Sequence, residues 1–256
     1  MLAASSARLG APVEGLVGLA AAGVGRPQMS PFAAMAPDPD GPERSETAAA
    51  DTGPVLALLC RGLEFWVRQQ CQAIESLQIR LEGSALQLLR GRLEGVRVEA
   101  RGVRYQDLEL EEVRLRGEAV RVRMGSLLRR QTLELENPFV VRGAILFSGE
   151  GLNRSLAHPN WSWLGDEMAE ALLGIRPLAG VRFEANQLIL RAQPAGPADR
   201  PVERAAELMA RDGTVAVSAV GEDLVMALPM DPGIQIETAS LAAGLLELMG
   251  RATIQP

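Results

Sequence analysis

The stretch from Glu94 to Met124, EGVRVEARGVRYQDLELEEVRLRGEAVRVRM, alternates apolar residues with arginine or glutamate over most of its length. Successive side chains of a β-strand point to opposite faces, so this alternation is typical of a sheet that buries one face and exposes the other. Such a sheet must have its apolar face covered. The apolar residues come in pairs two positions apart, namely Val96 and Val98, Val103 and Tyr105, Leu108 and Leu110, Val113 and Leu115, and Val120 and Val122.

The spacing between these pairs is not that of one regular strand. The second, third and fourth pairs begin five residues apart, so consecutive pairs fall on opposite faces. Bulges or turns near Gly102, Gln106–Asp107 and Gly117 would return the apolar residues to one side. A narrow β-solenoid also fits the five-residue spacing, but it needs a small residue at one inward position, where this chain has valine or tyrosine. The sequence therefore favours long bulged strands, with the solenoid as the alternative.

The preceding segment, Val55–Leu77, reads VLALLCRGLEFWVRQQCQAIESL and has the spacing of an amphipathic helix. Such a helix would be about 30 Å long. It either packs on its own sheet or lies on a membrane surface. Only Arg61 and Arg68 supply positive charge, which favours packing. The apolar positions at helical spacing are Leu56, Leu59, Leu63, Trp66 and Ile74.

Cys60 and Cys71 are the only cysteines, and both fall in this predicted helix. They would lie about 16 Å apart along its axis, beyond the ~7 Å between Cα atoms that a disulfide spans. We therefore expect free thiols in a reducing compartment. No apolar run reaches the roughly 18 residues of a transmembrane helix, and Gly15–Gly25 lacks the flanking features of a signal peptide. These observations predict a cytoplasmic protein.

Strand patterns dominate the rest of the chain. The segment LQIRLE alternates from Leu77 to Glu82, and more alternating segments follow two short predicted helices within Gly151–Ile175. Strands that come in runs, rather than alternating with helices, indicate the α+β class with an antiparallel sheet. Residues 1–53 are rich in proline and alanine without a sustained period, which predicts a disordered tail. The ordered domain would then span residues 54–256.

Composition and motifs argue against nucleic-acid binding and against catalysis. The net charge is −6, whereas a general nucleic-acid binder needs a basic face. The chain has one histidine, His158, which a Ser-His-Asp site would have to combine with residues such as Ser155 and Asp166. There is no Gly-x-Ser-x-Gly elbow, zinc-binding spacing or nucleotide-binding glycine loop. We therefore predict a protein without enzymatic activity, metal or cofactor.

The apolar face of the sheet is wider than one helix can cover. Six strands about 4.8 Å apart exceed the ~10 Å width of a helix, so the sheet either curls around the helix or leaves apolar surface for a ligand. Aromatic residues make up 4% of the chain, so the groove would be aliphatic and would suit acyl chains. The predicted lining is Leu77, Ile79, Leu81, Val96, Val98, Leu108, Leu110, Val113, Leu115, Val120 and Val122, closed by Leu59, Leu63 and Trp66. The predicted headgroup contacts are Arg90, Arg92, Arg129 and Arg130.

The segment LQIRLEGSALQLLRGRLEGVRVEARGVRYQDLELEEVRLRGEAVRVRMGSLLR resembles the LmeA-like phospholipid-binding family, particularly its cyanobacterial members. The helix LEFWVRQQCQAIESL before it and FSGEGLNRSL after it are similar to the same family. The resemblance covers the chain from about Val55 onward. It implies a large curved antiparallel sheet wrapped around the long N-terminal amphipathic helix, similar to tubular lipid-binding folds, with phospholipid in the groove. It implies no catalytic residues.

The sequence therefore predicts non-enzymatic binding, transport or extraction of phospholipid or glycolipid acyl chains at a membrane surface. The alternative is a structural or assembly protein whose sheet core is fully packed and which binds a protein partner. Trp161 and Trp163 would sit at the membrane interface or pack under the short helices, and packing is favoured.

Overall fold

The computed structural model describes residues 54–84, 87, 90, 92–121, 136–194 and 200–255. The predicted tail, residues 1–53, lies outside the described residues. The helices are α1 (Pro54–Gln70), α2 (Gly149–Ala157) and α3 (Ser162–Leu173). The strands are β1 (Ala73–Glu82), β2 (Arg92–Tyr105), β3 (Leu108–Arg121), β4 (Phe139–Ser148), β5 (Leu178–Glu184), β6 (Gln187–Ala192), β7 (Val202–Arg211), β8 (Thr214–Ala219), β9 (Val225–Ala227), β10 (Ile234–Ala242) and β11 (Leu245–Ile254).

The strands form two antiparallel sheets. Sheet A has the strand order β1-β2-β3-β4-β11-β10, and sheet B has the order β5-β6-β7-β8-β9. Neighbouring strands are mostly consecutive in the chain, and the C-terminal hairpin β10–β11 returns to pair with β4. The predicted α+β class with antiparallel sheets is confirmed, although the strands are divided between two sheets.

The N-terminal helix is shorter than predicted. Helix α1 ends at Gln70, and the backbone N–H of Gln72 already donates to the Arg104 oxygen of β2 at 2.8 Å. Pairing with β2 makes the segment from Ala73 onward a strand, although Ile74 also fitted the helical period. Cys71 consequently lies just beyond the helix, and both cysteines are free and half-buried.

Helix α1 runs along the edge strand β1 in the opposite direction. Near one end of the helix, Arg68 donates to the backbone oxygen of Ile74 at 3.2 Å. Near the other end, Cys60 lies close to the backbone of Leu81. The described contacts of α1 with the strands are mainly with β1, at the edge of sheet A. A sheet wrapped around this helix therefore stays a proposal.

The long hairpin β2–β3 resolves the irregular spacing of the apolar pairs. Its two turn residues, Gln106 and Asp107, have φ of 46° and 66°, as in a two-residue type I′ turn. Gly102 has φ of 57°, and the buried positions change parity there in β1, β2 and β3 together. A second change of parity follows Gly117 in β3. The predicted turn at Gln106–Asp107 is confirmed. The register of β2 with β1 and with β3 is constant, so the strands change parity without the predicted bulges, and the antiparallel pairing of β2 and β3 excludes the solenoid.

The core consists of two connected groups of buried side chains. The first covers the inner face of sheet A with residues from sheet B and with Trp161. The second packs α3 against sheet B, where Leu172, Leu188 and Leu190 are almost completely buried. The burial of Trp161, at 6% exposure, confirms the predicted packing under the short helices and is not the arrangement of a membrane-interface residue.

Candidate functional site

The inner face of sheet A carries aliphatic side chains in rows that cross the strands. Ile79, Val98 and Leu115 lie directly opposite one another on β1, β2 and β3. Because directly opposed residues share a face of an antiparallel pair, each row is continuous across the sheet. The flanking rows on the same face contain Leu81, Val96 and Gly117, and Leu77, Ala100 and Val113.

Burial changes along these rows. On β3, Val113 and Leu115 are 1% and 6% exposed. On β1 and β2, Leu77, Val96 and Val98 are only half-buried. In the same rows, Ile79 of β1 and Ala100 of β2 are buried as well. The aliphatic surface is therefore partly exposed around Leu77, Val96 and Val98 and covered elsewhere in these rows.

The residues predicted to line a groove divide between core and partly exposed surface. The structure buries Ile79, Leu108, Leu110, Val113, Leu115 and Val120 in the core. It leaves Leu63, Trp66, Leu77, Leu81, Val96 and Val98 half-buried. The Leu59 side chain and residues Val122, Arg129 and Arg130 lie outside the described residues. Among the described members of the predicted lining, the half-buried group keeps part of its side-chain surface exposed.

The described arginines of the predicted headgroup site lie close together at the start of β2. Arg90 and Arg92 are both exposed. The Arg90 backbone N–H donates to the Gln87 oxygen at 3.0 Å. Their contact with a lipid headgroup stays a prediction.

Sequence reasoning missed a pocket of about 580 Å³ between the β7–β8 turn and β10. Its volume is within the ~300–1,000 Å³ typical of small-molecule sites. Its carboxylates already have partners, since Asp231 accepts from the Gly233 N–H at 2.7 Å and Glu237 pairs with Arg251 at 3.4 Å. No sequence motif predicts this pocket, because its lining residues come from separate segments of the chain. The lining residues are Asp212, Gly213, Thr214, Leu228, Met230, Asp231, Pro232, Ile234, Gln235, Ile236 and Glu237.

Asp107, at the tip of the β2–β3 hairpin, binds several polar side chains. It accepts hydrogen bonds from Gln72 at 2.8 Å and Asn160 at 2.9 Å, and its carboxylate lies 3.3 Å from His158 Nδ1. Arg104 adds an ion pair at 3.2 Å. These contacts link the start of β1, the hairpin and the loop between α2 and α3, so this cluster has a clear structural role.

The residues considered for a Ser-His-Asp site are bound to the backbone elsewhere. The buried Ser155 hydroxyl donates to the Gly151 oxygen and accepts from the Glu109 N–H, each at 2.8 Å. Asp166 accepts from the Leu178 N–H at 3.1 Å. Within the described ranges, no group of three histidine, cysteine, aspartate or glutamate side chains is placed to hold a metal ion.

Burial raises the pKa of the Cys71 thiol to about 11, from an ordinary value of 9.0. Since the thiolate is the reactive form, we expect alkylation by iodoacetamide near neutral pH to be about a hundredfold slower in the folded than in the urea-unfolded chain. Because the pKa is higher in the folded state, this thiol's stabilising contribution is complete below pH 9 and is lost as the pH rises towards 11. Mass spectrometry of tryptic peptides measures the labelling, and equally fast labelling of the folded chain would contradict the prediction.

None of the helices in the described segments is long and apolar enough to cross a bilayer. Comparison with curated proteins gave no match, and comparison with solved structures gave none either. The model of the LmeA-like phospholipid-binding family matches residues 53–249, which include α1, all of sheet B and all of sheet A except the second half of β11. This match extends over well more than half of the sequence and over the aliphatic inner face of sheet A. The chain therefore belongs to the LmeA-like phospholipid-binding family.

Proposed function

We propose that the protein binds phospholipid or glycolipid without catalysing a reaction, and that acyl chains lie on the partly exposed inner face of sheet A. The observation that carries this proposal is the half-buried aliphatic surface of β1 and β2, in a chain of a phospholipid-binding family. Leu77, Val96 and Val98 supply this surface. In this proposal, the half-buried side chains of Leu63 and Trp66 in α1, which runs along β1, close the surface.

The energetics favour reversible binding. Moving one CH₂ group out of water stabilises it by about 0.8 kcal/mol, but a phospholipid tail leaves a bilayer in which it is already out of water. Transfer to an aliphatic surface is then close to neutral in free energy. Such a site suits a carrier or extractor that works next to a membrane and releases its lipid again.

The proposal is tested by replacing Val98 with glutamate. A carboxylate on the inner face would have to be desolvated against acyl chains, at a cost above the ~1.4 kcal/mol that corresponds to a tenfold change in binding. We expect the phospholipid extracted from the purified protein to fall at least roughly tenfold. Organic extraction followed by mass spectrometry measures the amount and identifies the lipid class.

The matched control is Val140→Glu, since Val140 is 40% exposed in β4 of the same sheet. It introduces the same charge on the other face, and we expect its lipid content to equal that of the wild type. Thermal unfolding of both variants shows whether the fold is kept. If the wild-type protein carries no phospholipid, the alternative of a packed structural protein that binds a protein partner replaces this proposal.

A further inference from the structure

Five arginines form one row across the outer face of sheet A. The strand register places Arg80 opposite Arg97, Arg97 opposite Arg116, Arg116 opposite Arg142, and Arg142 opposite Arg251. The row therefore crosses β1, β2, β3, β4 and β11. With strands about 4.8 Å apart, it extends over roughly 19 Å. We call these five residues the arginine row.

The arginine row faces solvent. The side chains of Arg97, Arg116 and Arg251 are 36%, 41% and 50% exposed. Arg80 and Arg142 are exposed as well. Each arginine stands next in the chain to a residue of the inner face, so the row lies on the side of the sheet opposite to the aliphatic surface.

Folding alone does not favour this arrangement, because like charges directly opposite one another destabilise a sheet. A nearby row of the same sheet has the favourable pattern, with Arg101 opposite Glu112 and an ion pair of 3.4 Å. In the arginine row, Glu82 is shared between Arg97 at 3.5 Å and Arg116 at 3.7 Å, and Glu118 lies 3.6 Å from Arg116. With Glu237 beside Arg251, three described carboxylates face five guanidinium groups, which leaves part of the positive charge without compensation.

Two members of the row have no carboxylate partner within the described residues. Arg80 donates to Gln78, a neutral side chain, at 3.0 Å. Arg142 pairs with no described carboxylate and lies between Arg116 and Arg251. Charge complementarity therefore points to an anionic partner with several negative groups spaced along a surface. Guanidinium groups are planar and bind phosphate oxygens in pairs, so phosphate suits them best.

We propose that the arginine row docks the protein on the anionic phospholipid headgroups of a membrane. The choice of a membrane as partner rests on the proposed phospholipid binding. Since the row begins on the edge strand β1, docking holds the partly exposed aliphatic surface of β1 and β2 near the bilayer. The net charge of the chain is −6, so attraction comes from this face and not from the whole protein. Salt screens such exposed charges, and binding therefore weakens as ionic strength rises.

The test is co-sedimentation of the full chain with vesicles of phosphatidylcholine alone or mixed equally with phosphatidylglycerol. We expect the wild type to prefer the anionic vesicles. The triple variant Arg97→Gln, Arg116→Gln and Arg142→Gln is expected to lose about 100-fold in apparent affinity for them. The control removes the same charge from sheet B by Arg182→Gln, Arg191→Gln and Arg211→Gln, at three exposed positions. The control is expected to bind as the wild type does.

A single variant, Arg142→Gln, keeps the test decisive if the triple variant does not fold, since it breaks no ion pair with a described carboxylate. It is expected to lose about fivefold in affinity. Wild-type binding without preference for anionic vesicles, unchanged binding by the single variant, or an equal loss in the sheet B control overturns the proposal. So does arginine-dependent binding of a single-stranded oligonucleotide in place of vesicles.

The two proposals fail separately. Phospholipid extracted from the triple variant is expected to equal that of the wild type, because the inner face is unchanged. If the wild type carries no extracted phospholipid but its vesicle binding depends on the three arginines, the acyl-chain site is wrong and the docking surface stands. If phospholipid is extracted from the wild type but its vesicle binding does not depend on the three arginines, the docking surface is wrong and the acyl-chain site stands.

Discussion

Replacing Trp161 by alanine is expected to lower the free energy of unfolding by about 3–5 kcal/mol. The indole is 6% exposed and packs in the core under the inner face of sheet A. Its Nε1–H donates to the Gln106 oxygen at 2.8 Å, which links the loop before α3 to the tip of the β2–β3 hairpin. The substitution removes this hydrogen bond and leaves a cavity that the surrounding strands cannot fill. Chemical denaturation followed by circular dichroism measures the loss.

The matched control for this prediction is Trp163→Ala. Trp163 is half-buried, and its indole N–H donates to the Asn160 oxygen at 3.1 Å within the same loop region. Less buried surface is removed, so we expect a cost of about 1–2 kcal/mol. Equal effects of the two substitutions would show that the burial of Trp161 is not what stabilises this part of the fold. A loss of vesicle binding by Trp161→Ala without loss of stability would indicate a membrane-interface role.

Replacing Gly143 by alanine is expected to cost about 3 kcal/mol, at the upper end of overpacking in a well-packed core. Gly143 lies in β4 opposite Leu115 of β3. An added Cβ would meet the backbone oxygen of Arg114 at 2.1 Å and Leu115 Cδ2 at 2.7 Å. The leucine can change rotamer, but the Arg114 oxygen belongs to the paired strand. The pairing of β3 with β4 must therefore shift, and thermal unfolding measures the consequence.

At a second glycine, the same substitution is expected to raise the free energy of unfolding. A Cβ added at Gly62, in the middle of α1, would meet nothing within 4 Å. Alanine is the better helix former, so Gly62→Ala is expected to stabilise the protein by up to about 0.8–1.0 kcal/mol. If Gly143→Ala proves as harmless as Gly62→Ala, the close approach of β3 and β4 at this position is wrong.

The β2–β3 hairpin could be predicted well because its signals are local. Alternation marked both strands, and the irregular spacing of the apolar pairs indicated bulges or turns near Gly102 and Gly117, where the buried positions do change parity. The Gln106–Asp107 turn followed from the break between two apolar pairs. Each of these features depends on the backbone conformation of a few consecutive residues, which the local sequence pattern predicts.

The end of helix α1 could not be predicted in the same way. Ile74 fits both a helical and an alternating period, and Cys71 fits the helix. The choice is made by β2, which supplies hydrogen-bond partners to the chain from Gln72 onward. Strand pairing of this kind depends on residues about 30 positions away in the sequence. A local pattern therefore does not predict where the helix ends.

The candidate lipid site also combines a feature that the sequence predicts with one that depends on tertiary packing. Leucine and valine at alternating positions identified the face, but core and ligand-accessible residues have the same sequence pattern. Burial separates Val113 from Val98, although both lie on the inner face. Which of them remains accessible depends on how the rest of the chain packs over each position of this face, and that packing also buries Ala100 of β2.

The sequence by itself determined that one face of a long antiparallel sheet is aliphatic and the other charged, because side chains alternate along every strand. Tertiary structure alone decided which charges stand side by side. The arginine row needs four strand registers to be fixed, and a shift of one residue in any of them would replace its neighbour with a residue of the opposite face. Those registers are set by turns and by packing of the whole sheet, so the row appears only when the strands are assembled.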